Sequence, residues 1–406
     1  MVLETLITRR PVVDRRQHVF GYELLYAPSS ADPARVDVAL ASQRLVDGLL
    51  TMGLTAVTGG RKAIVHAPRD LLVSGALTLL PSASTVVALL DDVAPDAEVV
   101  DACDALLRAG LTLGLHGHRE GDPRDALLAR AVMAWVDAGT DPHLTRHVTR
   151  LRERGVIVVA DGVEDHDEFE RAAAAGCKLF AGGLLSRPVV VEGRQVEGIV
   201  RTHARLLAAA NAPEPDYDLL EELIKADVAL SYKLLKYLNA AAFGWQQRIT
   251  SIRHGLVLLG RDNVRRWVTL AALAGMASTK PPELVVTSVV RARFCESLGA
   301  AAGIGERALD LFSVGMFSMI DAILDLPLDV ALAGVPLSDD ASAALHGTPN
   351  DLRAVLDAVL AYERAQWDRL HDAAGRLGVD VVAVPRHYLA AVAWADSVLR
   401  DSTTAA

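Results

Sequence analysis

The chain has 406 residues, of which 51% are hydrophobic and 23% charged, with a formal net charge of −10. That length accommodates two domains, and that balance describes a folded globular protein rather than a disordered one. The acidic total argues against a general nucleic-acid binder, because phosphate contacts need clustered cations. Arg261, Arg265 and Arg266 form a local basic group that reads as a solvated helix face. Cys103, Cys177 and Cys295 are far apart, match no metal-ligand spacing and suggest reduced thiols in a cytosolic protein. No apolar run is long enough to span a bilayer, and the N-terminus MVLETLITRRPVV lacks the charged start and small-residue cleavage site of a signal peptide. The expectation is a cytoplasmic protein with no membrane partner.

In the first half, short β-rich runs alternate with helical ones. Leu6 to Val13 and Val19 to Tyr26 read as strands joined by a polar turn at Arg15-Arg16-Gln17, and Val36 to Met52 as a helix. Strands follow at Lys62 to Val65 and Thr85 to Leu90. A helix at Glu98 to Ala109, ended by Gly110, precedes a strand at Leu111 to Leu115 and a short helix at Arg124 to Leu128. The strand Ala131 to Val136, the helix Leu144 to Arg154, the strand Val156 to Ala160, the helix Asp165 to Ala175 and the strand Lys178 to Phe180 complete the series. Repeated βα units predict a parallel sheet, and this many predict a closed (β/α) barrel. Ligand sites in such barrels lie at the C-terminal ends of the strands, which singles out Glu23, His66, Asp91, His116, Asp137 and Asp161.

The second half is predicted all-helical. A strand-like segment at Val189 to Val191 leaves the barrel, a helix from Gln195 to Asn211 joins the halves, and Ala212 to Asp216 is a Pro-rich break. The expected division is therefore a barrel domain at 1–190, a connecting helix and linker at 191–216, and a helical domain at 217–406. From Leu219 to Met276, apolar residues recur at three- and four-residue steps, as in Leu223, Ala226, Leu230, Leu234 and Leu238. Asp227 caps one helix, Phe243-Gly244 ends it, Ser251 caps the next, Gly260 closes that one and Asn263 begins another. Further helices are predicted at Glu283 to Ala302, at Ala308 to Leu324, within Leu326 to Pro336, at Ala341 to Leu345 behind Ser338, at Leu352 to Leu370 behind Asn350, and at Pro385 to Arg400.

Two family resemblances attach to these residues. Ala226-Asp227-Val228-Ala229-Leu230, Lys233-Leu234-Leu235, Asn239-Ala240-Ala241-Ala242-Phe243-Gly244, Ile249-Thr250-Ser251-Ile252 and Leu258-Leu259-Gly260 resemble the core of an HDOD domain. Its signature positions here are Asp227, Lys233, Asn239, Phe243, Ser251 and Gly260. The resemblance implies the all-helical fold of the HD phosphohydrolases and a role as an output or protein-interaction module. The place of the HD metal pair reads Gly315-Met316-Phe317-Ser318-Met319. Over nearly all of residues 1–188, Arg9-Arg10-Pro11-Val12-Val13-Asp14, Gly21-Tyr22-Glu23-Leu24-Leu25, Ala160-Asp161-Gly162-Val163-Glu164 and Ala181-Gly182-Gly183-Leu184-Leu185-Ser186-Arg187-Pro188 resemble an EAL domain. That is the fold of the cyclic di-GMP phosphodiesterases. Together the halves resemble a small bacterial family in which a degenerate EAL domain precedes an HDOD domain.

The departures from the EAL pattern set the functional expectation. Glu23 matches the signature glutamate, but His66 stands for an Asn, Ala88 falls near a metal-binding Glu, and His116-Gly117 replaces an Asp-Asp pair. Trp135 replaces a Lys, Asp161 a Glu, Ala181 a Gln, and Arg10 a Gln. Metal-assisted hydrolysis needs a full ligand set and a positioned base. The expectation is accordingly a non-catalytic signalling scaffold without a cofactor, linked to cyclic di-GMP pathways and binding unidentified signalling proteins. The broad Ala- and Leu-rich helical faces also allow a homodimer. Two other readings stand beside it. One is a cyclic di-GMP receptor, using a vestigial site of Arg10, Glu23, His66, His116, Asp161 and Glu164, with Arg187 and the Gly182-Gly183 backbone near phosphate. The other is a rebuilt metal site for phosphodiester hydrolysis, for which Glu23, His66 and His116 are the ligand candidates because two imidazoles and a carboxylate suit a transition ion.

Overall fold

Alternation along the strands decides which side chains meet in the first half. The computed structural model describes residues 5–28, 46, 53–186, 198–212, 215–239, 249, 251–278, 280–333, 335 and 337–403. Eight strands close a barrel in sequence order: β1 (Thr5–Asp14), β2 (Val19–Pro28), β3 (Lys62–Ala67), β4 (Thr85–Leu89), β5 (Thr112–Leu115), β6 (Met133–Asp137), β7 (Ile157–Asp161) and β8 (Leu179–Ala181). Successive side chains of a strand point to opposite faces. One set, including Val12, Ile64, Val86, Ala88, Met133, Trp135, Val159 and Ala181, packs together as an inner core. The other set, including Val13, Leu24, Val65, Val87, Leu115, Val136 and Phe180, packs into the large outer core with the surrounding helices. The strands are apolar on both faces, as a closed barrel wrapped in helices requires.

The expected parallel barrel needs one correction. β2 through β8 run parallel, but β1 is antiparallel to both β2 and β8. The physical reason is the short turn between β1 and β2. A parallel return needs a crossover of a dozen or more residues, whereas a few residues can only form a hairpin. Asp14 Oδ1 accepts from the amides of Arg16 (2.8 Å) and His18 (2.9 Å), and Gln17 takes φ 60° to complete that turn.

The helices that follow the strands start and stop where their caps dictate. Asp96 accepts from the Val99 amide at 2.9 Å to open Ala97–Arg108, and Asp165 accepts from Glu168 N at 2.9 Å to open His166–Ala175. The helix Leu144–Glu153 lies between them in sequence. The segment expected as a short helix at Arg124 to Leu128 is a 3₁₀ turn, Pro123–Leu127, while short helices at Leu54–Thr58 and Arg69–Val73 carried no periodic signal. The helix expected at Val36 to Met52 lies, apart from helical Val46, outside the described residues, as do the segment Val189 to Val191 and Phe243.

The second half contains the expected helices: Gly198–Asn211, Tyr217–Lys225, Val228–Leu238, Ile252–Met276, Pro282–Ala301, Ala308–Phe317, Ile320–Leu324, Leu328–Leu332, Asp339–Leu345, Asp351–Glu363, Trp367–Leu377 and Val384–Thr403. Two predicted helices are each split in two. Residues 308–324 break where Ser318 Oγ donates to Gly315 O at 2.7 Å, and residues 352–370 break at Ala365, which takes φ 54°. By contact, the chain forms two compact units, one of Met1–Arg187 with Leu360–Val392 and one of Pro188–Val359 with Ala393–Ala406. Among the described residues no helix is long and apolar enough to cross a membrane.

Candidate functional site

The inward-facing set of the strands ends, at their C-terminal rim, in polar residues. Glu23 precedes outward-facing Leu24 on β2, His66 follows outward-facing Val65 on β3, and His116 follows outward-facing Leu115 after β5. Asp161 follows outward-facing Ala160 on β7. The same period of two therefore carries all four toward the inside of the rim. Arg10 joins them from β1, because the antiparallel register places it directly opposite Glu23.

Glu23 is the centre of the cluster and is fully buried. Its Oε2 takes the Arg10 guanidinium (Nε at 2.7 Å, Nη2 at 2.6 Å), and its Oε1 accepts from Trp135 Nε1 at 2.6 Å. Arg10 Nη2 also reaches Asp161 Oδ1 at 3.0 Å, so one guanidinium joins two carboxylates. Burial pushes the Glu23 carboxyl up, but Arg10 and then His66 pull it further down, holding it below its ordinary value. Burial likewise raises Asp161, while the contact with His116 and the charge of Arg10 bring it down to about 2. The Arg10 guanidinium loses solvent on burial and is nonetheless held more tightly protonated by Glu23 and Asp161.

The two imidazoles complete the group. His66 Nε2 lies 3.9 Å from Glu23 Oε1, His116 Nε2 lies 3.3 Å from Asp161 Oδ2, and the two rings stand 4.5 Å apart between centroids. Both Nε2 atoms are buried and complete no hydrogen bond among the described residues. Buried polar atoms are nearly always satisfied, so two adjacent unsatisfied ones are unusual. Ligand atoms of Glu23, His66 and His116 all lie within 4.8 Å of one another, close enough to share one metal ion.

The other predicted residues go elsewhere. Asp91 is exposed and pairs with Arg119 at 2.9 Å. Asp137 is exposed and accepts from the amides of Gly139 and Thr140 at 2.9 Å, so it shapes a turn. Glu164 accepts from Gly183 N at 3.3 Å on the exposed loop after β7, near enough to Arg10 to favour its charge. In the helical half, Asp227 accepts from Leu230 N at 3.1 Å and Ser251 caps through His254 N. Asn239 donates to Ile249 O and accepts from Ile249 N, both at 2.8 Å, and Gly260 (φ 72°) kinks the helix Ile252–Met276. Lys233 is half-buried on Val228–Leu238.

Two residues of the site were not legible as parts of it. Trp135 stood out only as a lost Lys, yet it fixes Glu23; the glycine at 114 is its trace, since a Cβ there would lie 2.6 Å from Trp135 Cζ3. Arg124, 1% exposed, donates to the carbonyls of Leu90 (2.8 Å) and His116 (3.0 Å) and pairs with Asp122 at 2.6 Å. It fastens the ends of β4 and β5 together beneath His116. A buried arginine in a surface-like sequence, GDPRD, gives no periodic signal.

The fold and this constellation define a barrel-plus-helical protein with a polar site at the barrel rim. Residues 199–324 match the HDOD domain family. A protein of Vibrio cholerae named cyclic di-GMP phosphodiesterase CdgJ is 30% identical over 403 residues, covering 98% of this chain and 93% of that one. The uncharacterized protein YuxH of Bacillus subtilis is 26% identical over 98% of this chain and 99% of its own length. Among solved structures, an EAL domain protein from Listeria monocytogenes is 16% identical, with a TM-score of 0.37, covering 44% of this chain and 86% of that one. The chain belongs to the EAL–HDOD family.

The relationship to CdgJ corrects one expectation. The sequence reading held that the chain is not an enzyme, and a relative of this extent named as a phosphodiesterase overturns it. That reading counted the family ligands lost at Ala88, His116-Gly117 and Ala181 and ranked a rebuilt metal site of Glu23, His66 and His116 below that loss.

Proposed function

We propose that this chain is a metal-dependent phosphodiesterase of cyclic di-GMP signalling, acting at the rim of its barrel. The observation that carries the proposal is the convergence of Glu23, His66 and His116 with two buried, unsatisfied imidazole nitrogens. The name of the full-length relative CdgJ supports the substrate. These three residues fit one divalent ion: an ionised carboxylate and two imidazoles are donors that metals take, and both imidazole Nε2 atoms are buried and complete no hydrogen bond among the described residues, their nearest charged neighbours being Asp161 Oδ2 at 3.3 Å and Glu23 Oε1 at 3.9 Å. The chemistry such a centre supplies is positive charge at phosphoryl oxygens and an acidified water.

The remaining residues serve this site without touching a metal. Arg10 keeps Glu23 ionised and, being partly exposed, presents a guanidinium to a phosphate. Trp135 fixes the Glu23 carboxylate by its indole N–H and fills the barrel where a longer polar side chain would admit water. Asp161 holds the other end of Arg10 and borders the His116 ring. The helical half, in this reading, is the module that meets a protein partner.

The test is incubation of the purified chain with cyclic di-GMP and divalent metal, followed by chromatography. The expected product is the linear dinucleotide left by cleavage of one phosphodiester bond, with formation lost in Glu23→Gln and in His66→Ala. Intact cyclic dinucleotide under every metal tested overturns the proposal, whether or not the dinucleotide binds.

A further inference from the structure

The donor set at the rim says which ion it takes. We propose that Glu23, His66 and His116 form a three-ligand site selective for a late first-row transition ion of the zinc and cobalt class over magnesium and calcium. This rests on the reading of the rim as the metal site of the phosphodiesterase.

Three observations carry it. First, two of the three donors are imidazole nitrogens, which suit zinc, copper, iron and nickel, whereas magnesium and calcium require oxygen. Second, oxygen donors at the rim are few: beyond Glu23 there is Asp161, whose Oδ2 lies 3.3 Å from His116 Nε2 and whose Oδ1 is taken by Arg10. Ala88 pairs in register with His66 on the adjacent strand, Ala181 lines the inner core, and Trp135 fills the space between with a donor N–H. Magnesium is commonly held by one or two carboxylates with water and substrate phosphate, so what disfavours it here is the pair of imidazole donors and not the number of carboxylates. Two His and one Glu with an open fourth position is instead a ligand number and type found in catalytic zinc centres. Third, Glu23 has little oxygen left to give. Its Oε2 is taken by Arg10, and Oε1, which faces His66, also accepts from Trp135 Nε1 at 2.6 Å, so Glu23 offers at most one oxygen beside the two rings. That oxygen count is too low for calcium, which takes six to eight.

The experiment uses the full chain freed of metal by chelation. Titration with Co²⁺ is followed by visible absorption, and competition by Zn²⁺, Mg²⁺ and Ca²⁺ by loss of that signal; melting temperature is recorded with each ion. The proposal expects the intense absorption of a low-coordinate cobalt centre, saturating at a single ion per chain, displaced by Zn²⁺ but not by excess Mg²⁺ or Ca²⁺. It also expects a rise in melting temperature with Zn²⁺ and with Co²⁺ but not with Mg²⁺ or Ca²⁺. His66→Gln and His116→Gln, with folding checked by circular dichroism, should both lose the cobalt signal. Weak absorption like that of the aquo ion, displacement by Mg²⁺, or an undiminished signal in folded His66→Gln would overturn it. Parallel assay of cyclic di-GMP separates the two claims. Tight Zn²⁺ binding without hydrolysis removes the enzymatic reading and leaves this site standing. Hydrolysis sustained by Mg²⁺ in a chain that gives no cobalt centre removes this site and leaves the enzyme.

Discussion

At the scale of single residues, the rim depends on what holds Glu23. A fully buried carboxylate is stable only when its oxygens are paired, and here one oxygen belongs to Arg10 and the other to Trp135. Trp135→Phe keeps the ring in the barrel and removes one donor, leaving Oε1 unsatisfied. It should lower stability by about 1–3 kcal/mol, the usual cost of orphaning a buried polar atom, read from chemical denaturation. Gly114→Ala tests the same arrangement from the other side, because the new methyl would enter the Trp135 ring position; a loss of about 1–3 kcal/mol is expected from overpacking. Asp122 offers a pH test away from the rim ligands. Burial pushes its carboxyl up, but its bonds to Arg124 pull it further down, so its folded pKa lies below the ordinary 3.8. A depressed folded value contributes stability that is fully present above the unfolded pKa and is lost as pH falls through the folded one. Asp122→Asn should therefore be less stable than the parent near neutrality, and the gap should close below about pH 4, as denaturation midpoints across pH would show. Of these residues Glu23, His66, His116 and Asp161 were legible from strand-end position, because period two fixes direction. Trp135 and Arg124 were not, because their roles depend on what lies across the barrel, which no local pattern encodes.

At the scale of elements, the segment leading from Val228–Leu238 into Ile252–Met276 shows why the HDOD signature needs an amide at 239. Asn239 both donates to and accepts from the backbone of Ile249, ten residues on. Aspartate can only accept, and alanine does neither. Asn239→Asp should thus cost nearly as much as Asn239→Ala, each about 0.5–1.5 kcal/mol in a urea titration, whereas a role limited to accepting would leave the aspartate variant near the parent. The kink at Gly260, with φ 72°, lies outside the range that other residues adopt easily, so the sequence announced that break correctly. The break at Ala365 also uses positive φ, yet alanine gives no such notice. Caps at Asp96, Asp165, Asp227, Ser251 and Ser338 were readable or lay within a residue of the expected start, since a side chain three residues before an amide is a local feature. The antiparallel first strand was readable only from the brevity of its turn, against the parallel rule that the later βα units suggest.

At the scale of the whole chain, the sequence proposes boundaries at 190 and 216, which assign residues 360–392 to the helical half. The contacts instead group Leu360–Val392 with Met1–Arg187. Within that unit the Tyr362 hydroxyl donates to the Ile7 carbonyl, 355 residues away in sequence, and Leu389 packs on the outer core of the barrel. Tyr362 is itself fully buried, its phenol pushed well above its ordinary pKa by burial, so it remains a donor throughout the physiological range. No periodicity in residues 352–370 distinguishes a helix face that meets its own helical neighbours from one that meets a distant strand, so this grouping was not legible. The two divisions give opposite outcomes for one fragment. If the barrel closes on residues 1–190 alone, that fragment folds with the melting temperature of its unit in the full chain. If Leu360–Val392 completes it, the fragment exposes the apolar surface that Leu389 and its neighbours cover, and it melts lower or aggregates, while adding the segment 360–392 as a fused or separate chain restores the transition. The structure favours the second outcome. Tyr362→Phe in the full chain supplies a milder version, with an expected loss of about 1–3 kcal/mol from the orphaned carbonyl of Ile7; an unchanged denaturation midpoint in that variant, together with a stably folded 1–190 fragment, would return residues 360–392 to the helical half.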